Sequence, residues 1–434
     1  MSDKNLHSRR IFLQSSMALM SIGVTVPTFI DSTVWAADNP LDGARLGKES
    51  GKDGRILVVV QLSGGNDGLN TVVPFADDVY HKARPAIGKR ADDVLKLNDY
   101  LGLHPNLAPM KALFDDGMMS VVQGVGYPNP NRSHFRSMDI WQSAVPDKEQ
   151  VSNGWLGRYF DNTCTGEDPH SGVCIGETAP LAMRGDRITP LSFERPETYR
   201  YNGSEKELYN ELNKPRLVAA EDPKPAAAGK RKPAAVTPGS QLDFLTRTAM
   251  DARVSSDRIL DIVGKYQTTA AYPGGEYGGG LRTIAAMIRG GLPTRVYYVS
   301  LGGFDTHANQ AGRHDRLMAE LAQGVGAFWQ DMKEQKNDDR VTMMCFSEFG
   351  RRVQQNASQG TDHGAAAPLF LLGKSIRKKA GIIGAHPSLT NLDNGDLRFN
   401  VDFRNVYATL LEQWLGTASK PVLGQQFKTL PIFA

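Results

Sequence analysis

The segment GGFDTHANQ, residues 302–310, combines residue types that bind metal ions or transfer protons. It follows the apolar run 294–301, which is typical of a buried strand, and leaves that run through two glycines. Asp305 and His307 then stand one residue apart. A carboxylate and an imidazole at this spacing can form a metal site or a general acid/base pair, or can simply bond to each other in a loop.

The surrounding pattern predicts an α/β fold with a mostly parallel central sheet and helices on both faces. Short apolar runs end in glycine-rich or polar turns and are separated by long segments of helical periodicity. The predicted strands are residues 55–62, 119–123, 294–301, 341–346 and 368–372. A loop-rich insertion is expected between about residues 150 and 290, the part of the chain where this pattern is not continued.

Ligands of parallel sheets bind outside the carboxyl ends of the strands, so the residues that the strands deliver there are the candidates for chemistry. Carboxylates and imidazoles are ligands of divalent metals, and a hydroxyl beside them can become a nucleophile. The sequence therefore predicts a metal site beside a serine. The candidates at this edge are Asn66, Asp67, Ser133, His134, Asp305, His307, Glu348, Asp362 and His363.

Each candidate also has a purely structural interpretation. The segment GGNDG around Asp67 is equally typical of a tight turn with positive φ. Ser133 is a preferred type of helix cap. Glu348 could form an ordinary ion pair with Arg351 or Arg352. Four histidines are expected to have packing, hydrogen-bonding or surface roles: His104, His134, His314 and His386.

The N-terminal residues 1–36 predict a twin-arginine export signal. Arg9 and Arg10 precede a moderately apolar run, and small residues favour cleavage after Ala36. The run is short and interrupted for a membrane span, so no stable membrane anchor is expected. We therefore expect a periplasmic or secreted protein, with the twin-arginine translocase as partner during export and residues 37–434 as a single domain.

Composition narrows the function classes. Lys and Arg number 50 against 47 Asp and Glu, and they are scattered, which argues against a nucleic-acid partner. The Pro/Ala/Lys-rich residues 220–240 predict a flexible surface insertion. Cys164 and Cys174 bracket a polar loop and predict a disulfide in an oxidising compartment, whereas Cys345 is expected to be a buried thiol.

Several motifs together resemble the exported bacterial family called domain of unknown function 1501, which is similar to the alkaline phosphatase and sulfatase superfamily. The resemblance runs from the signal to the last predicted helix, apart from about residues 160–290. It is carried by the twin-arginine start and by VVVQLSGGNDGLNTVVPF, YPNPNRSHFRSMDIWQSA, GGFDTHANQ, FSEFGRR, TDHGAAAPLFLLG and DFRNVYATLLEQWLG.

The resemblance implies roles for individual positions. Ser133 matches the superfamily's nucleophile at a helix start. Phe349 stands where the superfamily has a metal-binding histidine, which implies an oxygen-rich site and shifts the preference from Zn toward Mg, Mn or Ca. One or two divalent ions are expected. The implied metal ligands are Asp67, Asp305, His307, Glu348, Asp362 and His363.

The function expected from these residues is metal-dependent hydrolysis of a small-molecule phosphate or sulfate ester, with attack by Ser133. The alternative is an exported, non-catalytic binding or assembly protein that has kept the fold with a degraded metal site. A metal-dependent nuclease is less favoured, because no basic stripe is present for a nucleic-acid backbone.

Overall fold

The computed structural model describes residues 54–148, 151–164, 169–188, 190–198, 256–377 and 381–433. The predicted export signal and the Pro/Ala/Lys-rich insertion lie outside these ranges. No helix within them has both the length and the apolar character needed to cross a membrane.

Short strands and helices alternate along the chain. The strands are β1 (Ile56–Leu62), β2 (Val72–Val73), β3 (Leu95–Lys96), β4 (Gly102–Leu103), β5 (Met119–Gly126), β6 (Gly172–Ile175), β7 (Leu191–Phe193), β8 (Val296–Leu301), β9 (Val341–Ser347), β10 (Ala367–Leu372), β11 (Ile382–Ile383), β12 (Leu392–Asp393), β13 (Asp396–Leu397) and β14 (Val401–Asp402). The α-helices that lie wholly within the described ranges are α1 (Gly68–Thr71), α2 (Asp78–Ala83), α3 (Ala108–Asp115), α4 (His134–Ser143), α5 (Trp155–Thr163), α6 (Gly275–Arg289), α7 (Gln310–Glu334), α8 (Phe403–Thr409) and α9 (Ser419–Leu423), and residues 256–265 are helical as well. A π-helical turn covers Leu410–Trp414, and 3-10 turns cover Pro105–Leu107, Pro169–Ser171, Leu181–Met183 and Pro196–Thr198.

The central sheet has nine strands in the order β11-β5-β10-β9-β1-β8-β6-β7, with β14 also paired to β5. All five predicted runs form strands of this sheet. Every pair is parallel except the two made by β10, which runs antiparallel to both β5 and β9. The predicted, mostly parallel α/β sheet is thus confirmed, with one reversed strand inside it.

Both faces of the sheet are covered, which explains why its strands are mostly apolar and do not alternate between apolar and polar residues. Every residue of β1 is buried, and alternate side chains enter two different hydrophobic clusters. Val58 and Val60 pack with residues of α3, α6 and α7, whereas Leu57 and Val59 pack with residues of α4, α5 and α8. Two small antiparallel sheets, β2-β4-β3 and the β12-β13 hairpin, lie apart from this path.

The reversed direction of β10 brings the loop before this strand to the carboxyl edge of the sheet. We use this term for the edge at which the parallel strands end. The loops after β1, β8 and β9 leave at that edge, and so does the loop that leads from β5 to α4. Because β10 runs the other way, it begins at this edge, and the residues before it lie there. The loops that follow four strands and the loop that precedes β10 therefore lie together at the carboxyl edge of the sheet.

The predicted disulfide between Cys164 and Cys174 is wrong, because neither residue is disulfide-bonded. Cys174 lies in β6 and its side chain belongs to the hydrophobic cluster that also contains Leu57. Burial raises the pKa of this thiol to about 12, so it behaves as a small apolar group rather than a reactive one. Cys345 is buried in β9, as predicted.

The packing of α7 against the sheet yields a stability prediction. Leu321 is fully buried in α7, and Leu321→Ala should lower the free energy of unfolding by about 2–5 kcal/mol, because it removes apolar contacts and leaves a cavity. Arg316→Ala, at an exposed position of the same helix, should change it by less than about 0.5 kcal/mol. Equilibrium denaturation in urea measures both variants, and equal effects would contradict the packing described.

Candidate metal centre

Three imidazoles converge on one carboxylate at the carboxyl edge of the sheet. The Nε2 atoms of His307, His363 and His134 lie 3.0, 3.2 and 3.6 Å from Oδ1 of Asp305. The Nε2 atoms of His307 and His363 are themselves 2.9 Å apart. We call these four residues the histidine cluster.

The cluster is assembled from three separate loops. Asp305 and His307 follow β8, and His363 precedes the reversed strand β10. His134 is the first residue of α4, in the connection that follows β5. The sequence predicted all four residues for this edge, although His134 had been expected to pack or to form hydrogen bonds rather than to face a carboxylate in a cluster.

The second ring nitrogen of each histidine has a partner of its own. Nδ1 of His134 lies 2.8 Å from Oε1 of Glu348, and Nδ1 of His307 lies 3.3 Å from Oδ1 of Asp362. Nδ1 of His363 lies 2.8 Å from the backbone carbonyl oxygen of Arg132. Carboxylate and carbonyl oxygens only accept hydrogen bonds, so each Nδ1 must carry the proton. In the neutral imidazoles, each Nε2 then presents a lone pair to the cluster.

This arrangement fits a divalent cation. Two lone pairs facing each other at 2.9 Å, beside a carboxylate, repel unless a positive charge lies between them. Nε2 of His134 is a buried atom with no hydrogen-bond partner among the described residues. His134, Asp305 and His363 have the mutual spacing of a group that could hold a metal ion. Because nitrogen donors predominate, this donor set is closer to those of zinc sites than to the magnesium, manganese or calcium sites that the resemblance implied.

Asp305 is held in its ionised form. Burial acts to raise its pKa, but the hydrogen bond and the positive charge of Arg351 outweigh this effect and lower the pKa to about 2. The Arg351 guanidinium is fully buried and lies 2.8 Å from Oδ1 of Asp305. About half of the Asp305 and His307 side-chain surface stays exposed, 48% and 45%, so a small molecule can reach the cluster.

Glu348 holds one imidazole of the cluster from its buried side. It is buried, and Oε1 accepts hydrogen bonds from the Gly64 backbone N–H at 2.9 Å and from Nδ1 of His134. The hydrogen bond to Glu348 is the main cause of a raised pKa at His134. Glu348 and Asp362 were expected as ligands, and the structure places both behind an imidazole, where a carboxylate fixes ring orientation and makes the ligand more basic.

Asp67, another expected ligand, lies in a buried ion pair instead of in the cluster. Nη1 of Arg84 is 2.6 Å from Oδ2 of Asp67, and both side chains have no exposed surface. Nε2 of Gln310 donates to the same oxygen. Burial acts to raise the pKa of Asp67, but the charge and hydrogen bond of Arg84 lower it. The carboxylate is thus already neutralised by a protein cation, and it belongs to neither potential metal group of the described residues.

Ser133 directly precedes His134 of the cluster, and its hydroxyl makes no hydrogen bond within the described part of the chain. It occupies the N-cap position of α4, yet its side chain makes no capping hydrogen bond, and the residue is exposed. Its two neighbours in sequence are held by the site, since the carbonyl of Arg132 bonds to His363 and the ring of His134 bonds to Glu348. The position of Ser133 is therefore fixed on both sides.

Phe349 forms an apolar wall next to two of the imidazoles. Its ring centroid lies 4.9 Å from that of His134 and 4.8 Å from that of His363. The backbone after β1 passes close to the same ring, because Gly65 has φ +72° and a Cβ there would lie 2.2 Å from the Phe349 ring. Phe349 thus gives these imidazoles an apolar neighbour and offers no ligand atom, as its residue type implied.

A second group of titratable residues does not need an ion. Nδ1 of His104 accepts a hydrogen bond from the Asn106 backbone N–H, so its Nε2 carries the proton and donates to Asp315 at 2.8 Å. Lys89 neutralises the same carboxylate at 2.5 Å. The buried rings of His104 and His314 meet edge to face, which agrees with the structural role expected for both.

Sequence reasoning did not assign their roles to three residues of the site. His134 was placed at this edge, directly after the predicted nucleophile, but it was expected to pack or to form hydrogen bonds rather than to be a ligand. Arg84 and Arg351 bind Asp67 and Asp305 from 17 and 46 residues away, and no local pattern indicates such pairs.

Comparison with known proteins supports the expected family. The family model described as "Protein of unknown function (DUF1501)" matches residues 55–423. No curated protein matches the sequence.

Similar solved structures share little sequence with this chain. They include the periplasmic domain of EptC from Escherichia coli in complex with Zn, with 12% identity, TM-score 0.36 and coverage of 76% of each chain. A sulfatase from a Pseudoalteromonas species, PsFucS1, has 10% identity and TM-score 0.38, with coverage of 94% of this chain and 75% of the sulfatase. A protein in the alkaline phosphatase superfamily from Vibrio parahaemolyticus has 9% identity and TM-score 0.36, with coverage of 93% and 78%.

The support of His134 by Glu348 can be tested through metal affinity. Glu348→Gln removes the negative charge behind the ring and should weaken Zn²⁺ binding about 10- to 100-fold, as measured by competition with a chromophoric chelator. Glu320→Gln, which changes a carboxylate outside the cluster on α7, should leave the affinity unchanged. Unaltered Zn²⁺ binding by Glu348→Gln would show that Glu348 does not support a ligand.

Proposed function

The chain belongs to the DUF1501 family of proteins of unknown function, and we propose that it is an exported, metal-dependent hydrolase of phosphate or sulfate esters with Ser133 as its nucleophile. One observation carries the proposal: three imidazole nitrogens converge on the Asp305 carboxylate, and one of these histidines, His134, directly follows Ser133, whose side chain makes no capping hydrogen bond. Metal ligands and a free hydroxyl at one accessible place are what metal-assisted ester hydrolysis requires.

The start of α4 suits Ser133 to a reaction with an anionic ester. The N-terminal N–H groups and the dipole of this ten-residue helix favour negative charge in front of it. The Oγ atom is not engaged in capping and is open to solvent. An ester placed at the helix start therefore meets the hydroxyl and a favourable electrostatic field together.

In the proposed reaction, Oγ of Ser133 attacks the phosphorus or sulfur atom while the bond to the leaving alcohol breaks. Water then hydrolyses the seryl ester and restores the hydroxyl. A divalent ion, when bound, stabilises the developing negative charge and lowers the pKa of a nearby hydroxyl.

The chain's own residues hold and shape the site. His134, His307, His363 and Asp305 would bind the ion, and Arg351 keeps Asp305 ionised. Phe349 excludes water from one side of the imidazoles. Removing water from this side strengthens each electrostatic interaction within the cluster.

A non-catalytic binding protein on the same fold is the second candidate. The ion pair between Asp67 and Arg84 favours it, because a carboxylate expected to bind metal is already neutralised. The apolar ring of Phe349 favours it as well, since carbon offers no lone pair to a cation. Under this alternative the protein would bind Zn²⁺ or an anion at the cluster without turnover.

We further propose export by the twin-arginine pathway to the periplasm or the exterior, on the pattern of residues 1–36. The substrate would be a small molecule rather than nucleic acid, because the charges of the chain are nearly balanced and scattered. Residues 37–434 would then act as one domain after removal of the signal.

Replacement of the proposed nucleophile separates the two candidates. Ser133→Ala should lower the kcat for aryl phosphate or aryl sulfate esters by about a thousandfold or more, because it removes the attacking oxygen. Bound Zn²⁺, measured by elemental analysis, should not change. Ser358→Ala, at an exposed serine in the loop before β10, is the matched control and should retain full activity.

Two outcomes would decide against the enzyme. Full activity of Ser133→Ala would exclude Ser133 as the nucleophile. Absence of turnover of both ester classes by the Zn²⁺-loaded wild-type protein would favour the binding protein.

A further inference from the structure

Two arginines beside the histidine cluster share a single buried carboxylate. Nη2 of Arg132 lies 2.5 Å from Oδ2 of Asp396, and Nε of Arg352 lies 3.4 Å from Oδ1 of the same residue. Asp396 is only 2% exposed and lies in β13. We call Arg132 and Arg352 the arginine pair.

The backbone of each arginine touches the cluster or its support. The carbonyl of Arg132 accepts the hydrogen bond from Nδ1 of His363, and Arg132 directly precedes Ser133. The N–H of Arg352 donates to the carbonyl of Asp362, which directly precedes His363. Both chain segments thus reach the edge of the sheet where the serine and the imidazoles lie.

The arginine pair carries more positive charge than its carboxylate can balance. Two permanently ionised guanidiniums face one Asp396, so one positive charge is left over. The other carboxylate of the hairpin, Asp393, bonds to the Asn394 side chain at 3.1 Å and forms no ion pair among the described residues.

Part of each guanidinium also remains available to a ligand. Nη1 of Arg132 and Nη1 of Arg352 have no hydrogen-bond partner in the described part of the chain. The two side chains are 42% and 34% exposed. Guanidinium N–H groups match the oxygens of phosphate and sulfate in both spacing and charge.

From this arrangement we propose that the arginine pair is a binding subsite for a tetrahedral oxyanion, and that the substrate of Ser133 is an ester that carries a negative charge, such as a phosphate monoester or an alkyl or aryl sulfate. The assignment of substrate class rests on the proposed function; the oxyanion subsite does not. Neutral esters would lack the group that the arginine pair recognises.

A purely structural role makes a different prediction. Arg352 also donates to the carbonyl of Asn394 at 3.1 Å, so the arginine pair could serve only to hold the β12-β13 hairpin against the loops. In that case Asp396 would be as necessary as the arginines. If the pair binds anions, by contrast, removing the Asp396 charge frees both guanidiniums and should strengthen binding.

The experiment is calorimetric titration of the full-length mature protein with sulfate and, separately, with inorganic phosphate at low ionic strength. Wild-type protein should bind one or both anions with and without Zn²⁺. The double variant Arg132→Gln/Arg352→Gln should weaken binding about tenfold or more, because two charge-assisted contacts are lost. Asp396→Asn should bind more tightly than wild type. Arg398→Gln, at an exposed arginine next to β13, should bind like wild type.

Two further variants control for the possibility that the double variant fails to fold. Arg132→Lys and Arg352→Lys retain the charge and should keep most of the binding, and circular dichroism monitors the fold of every variant. The subsite is overturned if metal-free wild-type protein binds neither anion, if Arg398→Gln weakens binding as much as the double variant, or if Asp396→Asn and the double variant weaken it equally.

The proposed function can fail without affecting this result. If the protein shows no ester turnover but binds anions in a way that depends on the arginine pair, the oxyanion subsite is supported and the proposed hydrolase activity is rejected. If the protein hydrolyses a phosphate or sulfate ester and the double variant has the same KM as the wild-type protein, the hydrolase activity is supported and the oxyanion subsite is rejected.

Discussion

The whole site depends on one buried cation, the guanidinium of Arg351. Its hydrogen bonds reach three loops, with acceptors on Gly64 and Gly65 after β1, on Phe304 and Asp305 after β8, and on Thr361 before β10. Backbone carbonyls can only accept, so a planar group with five N–H donors is suited to join several of them at once. An unpaired buried charge is costly, and the loops that satisfy Arg351 therefore stay together. The geometry of Asp305 and its imidazoles follows from this contact.

The charged groups at the carboxyl edge of the sheet fall into a buried set and an exposed one. In the buried set, Asp67 and Arg84 neutralise each other, and Glu348 contacts the ring of His134. In the exposed set, Asp305 remains half exposed although Arg351 contacts it. The buried groups thus fix the positions of the side chains, whereas the exposed carboxylate keeps atoms available for a ligand. A low-dielectric interior beneath the cluster also strengthens the charge interactions within it.

The parts of this arrangement that the sequence could predict are those with a local pattern. Buried strands are visible as apolar runs, and strands that end at one edge bring the residues after them together, which is why Asp305, His307 and His363 were placed correctly at that edge. Partner choice was not predictable. Glu348 has two arginines within four residues, yet it bonds to His134, which is 214 residues away. Pairing of this kind is decided by packing between distant segments, and it leaves no periodic signal in either of them.

The reversed direction of β10 restricts how the chain can change in length. His363 is separated from the first residue of β10 by three residues only, and the pairing of β10 with β5 already contains a register shift between Ala367 and Leu369. Successive side chains of a strand point to opposite faces of the sheet. One residue gained or lost in this short connector would therefore either displace the imidazole of His363 or shift β10 by one residue, which moves each of its side chains to the opposite face. The exposed residues 357–359 lie before Thr361, on the outer side of this loop. Insertions and deletions that preserve the ring of His363 are therefore confined to the side of the loop remote from the sheet.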